Sequence, residues 1–349
     1  MKSYLKFLLL SSLFIFLAGC FQKPKSEGGD TNLFVIAEES DWKALEPTLR
    51  EAFEKTIITP QPEKVFALHW IPPEKFNEVA KRKNLIILGT FETHGELKSK
   101  IEKMLSPEVR AKVEAEEEFV FTKKEPWAKN QLLMVLVGSN LDELKQKIAE
   151  NKEFLYDLFK KKLIKDTAEE MFAKYEQKNL EKELLRKYGW TLRIQHDYFV
   201  NIERPQDHFI MLRRTLPGRE RWLFVHWIDN ADSSIINPDW LIKKRNQLTK
   251  KFYQNDRINE RFTKSRRIKF LGRDAWVLEG LWENVEKVAG GPFKMYAFYD
   301  MATQRIYLID IAVYFPAGEK EPFLRQLDIM AHTFRTNQEI TEKDIEEWS

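Results

Sequence analysis

The side chains best suited to chemistry are scattered along the chain. Ser40-Asp41-Trp42-Lys43 sets a lysine one helical turn after a serine, the spacing at which an amine can deprotonate a hydroxyl. No Lys-Thr-Gly or Ser-Asp-Asn accompanies it, and Ser40 stands where a helix N-cap is expected, its hydroxyl accepting an orphan backbone N–H. The six histidines (His69, His94, His196, His208, His226 and His332) neither recur at i, i+4 on a helix nor alternate along one strand. No metal site is therefore assembled locally, and no cofactor is expected. His69 and His226 sit beside tryptophans in apolar runs and read as half-buried histidines. There is no glycine-rich phosphate loop, no His-Glu-x-x-His and no Gly-x-Ser-x-Gly. Glu279, Glu283 and Asp300 are the carboxylates a hydrolase of glycan or peptide would use, provided two of them converge to roughly 5–9.5 Å in a cleft.

Binding chemistry has more candidates. Arg213-Arg214 and Arg266-Arg267, with Lys264 and Lys269, are basic patches suited to phosphate or lipid headgroups, although interspersed acids favour plain solvated surface. Trp222, Trp227, Trp276 and Trp282, four of ten tryptophans, either fill the core or floor a groove for a glycan or peptide. The densest local signature is Gly290-Gly291-Pro292-Phe293, shortly after Trp282. A glycine pair before proline points to a turn, with φ above zero at Gly290 or Gly291, and admits close approach of another chain. These five residues are the candidate binding or turn residues, a structural hairpin turn being the simpler account.

The elements that would carry these groups begin after a distinctive N-terminus. Met1–Lys6 holds two lysines and no acid, an apolar run of about a dozen residues follows from Phe7 to Ala18, and Leu17-Ala18-Gly19-Cys20 closes it. The run is shorter than the roughly 20 residues a lasting membrane span needs. The closing tetrad resembles the lipobox of bacterial lipoproteins, and the chain's only cysteine falls where that motif requires it. The resemblance implies diacylglycerol on the Cys20 thiol, cleavage before it, and durable anchoring by two or three acyl chains. An acylated Cys20 leaves no thiol for disulfides, thiolate metal sites or a cysteine nucleophile. Phe21 at the second mature position favours, by the same resemblance, the outer membrane facing the periplasm. The expected divisions are a signal peptide over residues 1–19 and a flexible Pro-, Gly- and charge-rich tether over 20–32.

The chain of 349 residues carries 57 Lys+Arg against 54 Asp+Glu, so its charge gives no reason to expect a nucleic-acid partner. Charged residues at 32% beside 43% hydrophobic exclude a low-complexity chain and a polytopic membrane protein. Apolar runs at Leu33–Ala37, Val65–Ile71, Leu85–Gly89 and Leu132–Val137 predict strands; three- and four-residue spacing from Trp42 to Phe53 predicts a helix. Leu141 to Tyr188 lacks Gly and Pro and predicts long helices with one bend near residues 160–165. From Trp190, aromatic and β-branched alternation predicts strands up to Ile306–Tyr314, with helices at Trp240–Tyr253 and Glu321–Phe334. The Ala67–Ile71 and Phe224–Ile228 runs echo each other, as do the hairpin–helix segments that follow. The fold class is α+β: two similar halves, residues 33–189 and 190–336, each a mainly antiparallel sheet packed with helices, before a polar tail over 337–349.

Several short motifs stand in order along the chain: Pro60-Gln61-Pro62-Glu63, Trp127-Ala128-Lys129-Asn130-Gln131, Gly280-Leu281-Trp282, Gly290–Phe293, Val313-Tyr314-Phe315-Pro316 and Leu324-Arg325-Gln326-Leu327. With the lipobox they resemble an uncharacterised lipoprotein family found mainly in Bacteroidota, domain of unknown function 4837, over roughly Leu33 to Phe334. Glu319-Lys320-Glu321 departs from the more basic pair expected there. The resemblance implies a lipoprotein with no catalytic residues to carry over. The expectation is a non-catalytic binding or structural module, held to the membrane through lipid on Cys20 and meeting an envelope protein or cell-wall partner. An envelope hydrolase and a carrier of an apolar ligand are the alternatives.

Overall fold

The computed structural model describes residues 23–253 and 255–347. The expected signal peptide over residues 1–19 and Cys20 lie outside the described residues. Two sheets, each covered by helices on both faces, build two units.

The first unit runs β1 (Asn32–Ile36), α1 (Glu39–Phe53), β2 (Thr56–Ile57), β3 (Glu63–Lys64), β4 (Ala67–Ile71), α2 (Phe76–Val79), β5 (Asn84–Thr90), α3 (Glu96–Met104), α4 (Pro107–Glu114), β6 (Val120–Lys124), β7 (Leu132–Gly138), α5 (Leu141–Glu150) and α6 (Lys152–Phe172). Its main sheet has the order β4-β1-β5-β7-β6, parallel except for β6. The mainly antiparallel sheet expected here is thus corrected. β5 and β7 are buried at every residue, and such unbroken apolar runs suit central parallel strands, which need helices on both sides. Leu33, Ile86 and Met134 face α1, α5 and α6, while Leu85, Ile87 and Leu133 face α3 and α4.

The second unit runs α7 (Lys178–Tyr188), β8 (Trp190–Thr191), β9 (Phe199–Arg204), β10 (Phe209–Leu216), β11 (Arg219–Asp229), α8 (Pro238–Phe252), β12 (Arg257–Phe270), β13 (Arg273–Asn284), β14 (Ala289–Asp300), β15 (Arg305–Tyr314), α9 (Glu321–Ala331), β16 (Arg335–Thr336) and α10 (Glu342–Glu347). Seven strands form one antiparallel sheet in the order β12-β13-β14-β15-β11-β10-β9. Alternate residues go to opposite faces: Val225, Phe298 and Ile309 pack under α9 and α7, while Phe224, Met295 and Leu308 pack under α8. The two sheets therefore share the α+β, two-unit architecture but neither strand order nor direction, and the echo between Ala67–Ile71 and Phe224–Ile228 is one of local pattern.

Three further expectations are revised. The helical stretch 141–188 is three helices, interrupted at Asn151 and at 173–177, and α7 sends Leu184 and Tyr188 into the core of the second unit. Part of the tether is docked: Lys129 N donates to Pro24 O at 2.8 Å, Ser26 N to Lys129 O at 3.1 Å and Glu27 N to Lys81 O at 2.9 Å. The start of the polar tail is held as well, Asn337 N donating to Gly189 O at 2.9 Å and Glu339 bonding Arg273 at 2.8 Å.

The units meet along α6 and α9. Arg325 on α9 donates to the Thr167 hydroxyl on α6 at 2.6 Å. Glu63 of β3 accepts the Lys320 and Glu321 backbone N–H groups, each at 2.7 Å, so a carboxylate of the first unit caps a helix of the second. Ile57 packs against the cores of both.

Candidate functional site

The groups that catalysis would need do not converge. Lys43 pairs with Glu39 at 2.6 Å, and the Ser40 hydroxyl donates to Asp41 at 3.1 Å. Ser40 is not the cap expected of it: α1 starts at Glu39, with Glu38 at the cap position. Glu279 and Glu283 lie four residues apart along β13, about 13 Å at strand rise, each facing its own arginine. Asp300 is tied to Arg273 and Thr303. The hydrolase geometry built on these three carboxylates is absent. No group of three or more His, Cys, Asp or Glu that could hold a metal occurs among the described residues. The basic patches are largely paired: Arg213 with Glu220, Arg214 with Asp197, Lys269 with Asp274.

Gly290–Phe293 is not a turn. All four residues lie inside β14, opposite β13, with Gly291 facing Trp282 and Gly290 facing Glu283. The turn is Val285–Val288, and the residue with positive φ there is Val288, at 50°. Close approach is what the glycines supply. A Cβ on Gly291 would overlap the Val313 carbonyl oxygen and stand 3.1 Å from Trp282 Nε1; one on Gly290 would stand 2.9 Å from the Trp282 carbonyl oxygen. The Trp282 indole crosses bare backbone and donates to Val313 O at 3.3 Å. Phe293 is core, its ring under the Arg245 guanidinium at 4.1 Å.

Trp282 in turn forms one wall of a cavity of about 410 Å³ on the α8 face of the sheet. Trp222, Tyr253, Tyr314 and Phe252 supply further aromatic walls; Trp222 meets Trp282 at 5.3 Å and the Tyr253 ring edge-on at 6.0 Å. Polar groups stand among them. Arg213 binds Glu220 at 2.5 Å, and the Asn284 amide donates to Asp256 at 2.7 Å. Burial pushes the Asp256 carboxyl above its ordinary range and holds the Tyr253 phenol well above its own, so Tyr253 keeps its proton. Trp222 is 5% exposed and Tyr253 8%, yet the Trp222 indole N–H and the Tyr253 hydroxyl have no hydrogen-bond partner in the protein. Beneath the cavity Arg245 of α8 and Asp310 of β15 form a fully buried pair at 2.6 Å.

A second cavity, about 720 Å³, opens at the other end of the sheet between Tyr188, His208, Trp227 and Arg305. Its charged groups satisfy one another: Arg305 bonds Asp229 at 2.6 Å and Tyr188 O at 2.8 Å, and Lys187 bonds Glu183 and Glu203. Neither cavity has the continuous apolar lining an apolar-ligand carrier needs.

Residues 176–333 match the domain of unknown function DUF4837. The second unit belongs to that family. Residues 26–172 match a different one, the domain of unknown function DUF8532, so the motifs at Pro60–Glu63 and Trp127–Gln131 belong to DUF8532 and those from Gly280 onward to DUF4837. The boundary falls in the break between α6 and α7. No curated protein matches the chain. Among solved structures it is similar to a protein of Bacteroides thetaiotaomicron VPI-5482 (6% identity, 46% of this chain and 53% of that one, TM-score 0.27). It is also similar to LpqN of Mycobacterium tuberculosis, described as involved in cell envelope biogenesis (10%, 42% and 81%, TM-score 0.28), and to the Saccharomyces cerevisiae Ran-binding protein Mog1p (13%, 43% and 90%, TM-score 0.28). The chain spans about half the length of the first of these. The aromatic cavity lies wholly within the DUF4837 unit. Trp222 and Trp282 were legible as groove candidates; Tyr253 and Asp256 were not, because they flank the end of α8 and only the fold brings them to the sheet.

Proposed function

We propose that this chain is a lipid-anchored protein of the bacterial envelope whose DUF4837 unit is a non-catalytic binding module, its ligand entering the aromatic cavity. The carrying observation is the cavity itself: five aromatic side chains beside two nearly buried donors that the protein leaves unpaired. A buried donor without a partner costs roughly 1–3 kcal/mol, and a ligand acceptor would recover that cost. The anchor rests on the charged start, apolar run and Leu17–Cys20 tetrad, and the outer-membrane, periplasm-facing location on Phe21. No helix among the described residues is long and apolar enough to cross a membrane.

Two measurements test the two parts. Cys20→Ser is expected to leave an unprocessed precursor without clickable fatty-acid label, because the thioether needs the sulfur; label persisting in the variant ends the anchor reading. An envelope extract is expected to raise the melting temperature of the wild-type chain, as any ligand of the native state must, and to leave Trp222→Phe unmoved. Equal protection of both proteins places the ligand elsewhere.

A further inference from the structure

On that reading of the cavity, we infer that its ligand is a neutral saccharide unit. Aromatic faces and edges wall it: Trp222, Trp282, Tyr253 and Tyr314 offer flat apolar surface of the kind that stacks on the C–H face of a sugar ring. The polar groups between them suit hydroxyls. Trp222 Nε1 and the Tyr253 hydroxyl are donors without partners, Arg213 Nε is a third, and the carboxylates of Asp256 and Glu220 are acceptors. A hydroxyl both donates and accepts, so a polyol can meet both kinds at once.

Charge separates this class from its rivals. The lining holds two cations, Arg213 and Lys287, and two acids, Glu220 and Asp256, with Arg213 and Glu220 already joined. An anionic ligand would face both carboxylates. A peptide would look for free backbone to pair with, and the lining strands β10, β11, β13 and β14 are flanked on both sides within the sheet, which leaves only the edge strand β9, through Asn201 and Ile202, open to such pairing. The volume, about 410 Å³, is in the range of small-ligand sites.

The test uses the full-length chain in a sugar-free detergent. Tryptophan emission is followed on titration with tri- and tetrasaccharides of glucose, mannose and N-acetylglucosamine, with glucose 6-phosphate and inorganic phosphate, and with a random hexapeptide pool. At least one neutral saccharide is expected to shift the emission at millimolar concentration. Tyr253→Phe is expected to weaken that binding about tenfold while melting no lower than wild type, since it removes an unpaired hydroxyl and keeps the ring. Asp256→Asn, nearly isosteric, provides a second variant with the same expected loss. The inference is overturned if no neutral saccharide binds, if phosphate or peptide alone binds, or if both variants bind as wild type does. Envelope extract that protects the chain while every saccharide fails removes the sugar assignment alone; failure of both removes the binding module with it.

Discussion

A methyl group at position 291 would run into the Val313 carbonyl and crowd the Trp282 indole, so Gly291→Ala must spread two strands. We expect its melting temperature to fall by about 5 °C, on the scale of ~2 kcal/mol for a molecule of this size. Phe293→Ala empties a buried site under Arg245 and is expected to cost about 3–5 kcal/mol. Unchanged melting curves for both would return these residues to a ligand role. The purpose of the glycines was not legible in the sequence, because it depends on an indole reaching across to the next strand but one. His226 makes a pH prediction. Burial, helped by Lys244, pushes its imidazole down to about 4, so between the ordinary 6.5 and that value the unfolded chain binds a proton the fold does not. Stability is intact above pH 6.5 and is lost as pH falls through that window, by on the order of 3 kcal/mol. Denaturant midpoints at pH 7 and pH 4.5 should differ less in His226→Leu than in wild type; equal differences would show that His226 is not the group responsible.

Among the elements, β12 shows best what sequence reading misses. Its 14 residues hold six basic side chains and lack clean apolar alternation, because an edge strand buries little and charge protects its open side. It carries a bulge: residues 260–263 stand opposite Gly280 alone, and a Cβ there would come within 2.5 Å of Phe262 O. The central strands were legible for the opposite reason, since burial on both faces leaves long apolar runs, yet those runs alone do not announce strand direction. Parallel pairing in the first unit therefore stayed hidden, as did the break between α6 and α7, where neither glycine nor proline marks the end. At α9 the decisive element is borrowed. Glu63→Ala should strip the helix of its cap and leave Lys320, which sits 3.4 Å from Glu63, without its carboxylate. A loss of about 2 kcal/mol in denaturant melts is expected. A loss no larger than that of an exposed glutamate substitution would show that water replaces the cap.

At the scale of the whole molecule, two family domains with unrelated sheets behave as one body only as far as the α6–α9 seam holds. A protease site placed in residues 173–177, between the two helices, tests the seam directly. After cleavage the halves are expected to co-elute in size-exclusion chromatography, held by Glu63, Arg325 and Ile57, and to separate more readily in Glu63→Ala. Free halves from the wild-type chain would make the link covalent only.

The docking of Pro24 to Glu27 against the first unit has a metric consequence. If the lipid sits on Cys20, three residues, or four backbone steps, separate it from the point where Lys129 grips Pro24. Fully stretched they reach about 14 Å, scarcely twice the depth of a headgroup layer, which is roughly 5–7 Å. On so short a leash the body cannot swing out towards distant structures. Its cavity would meet what diffuses or projects into a thin shell above the bilayer, and which side of the body faces the lipids would be set by the face of the first unit against which Pro24 docks.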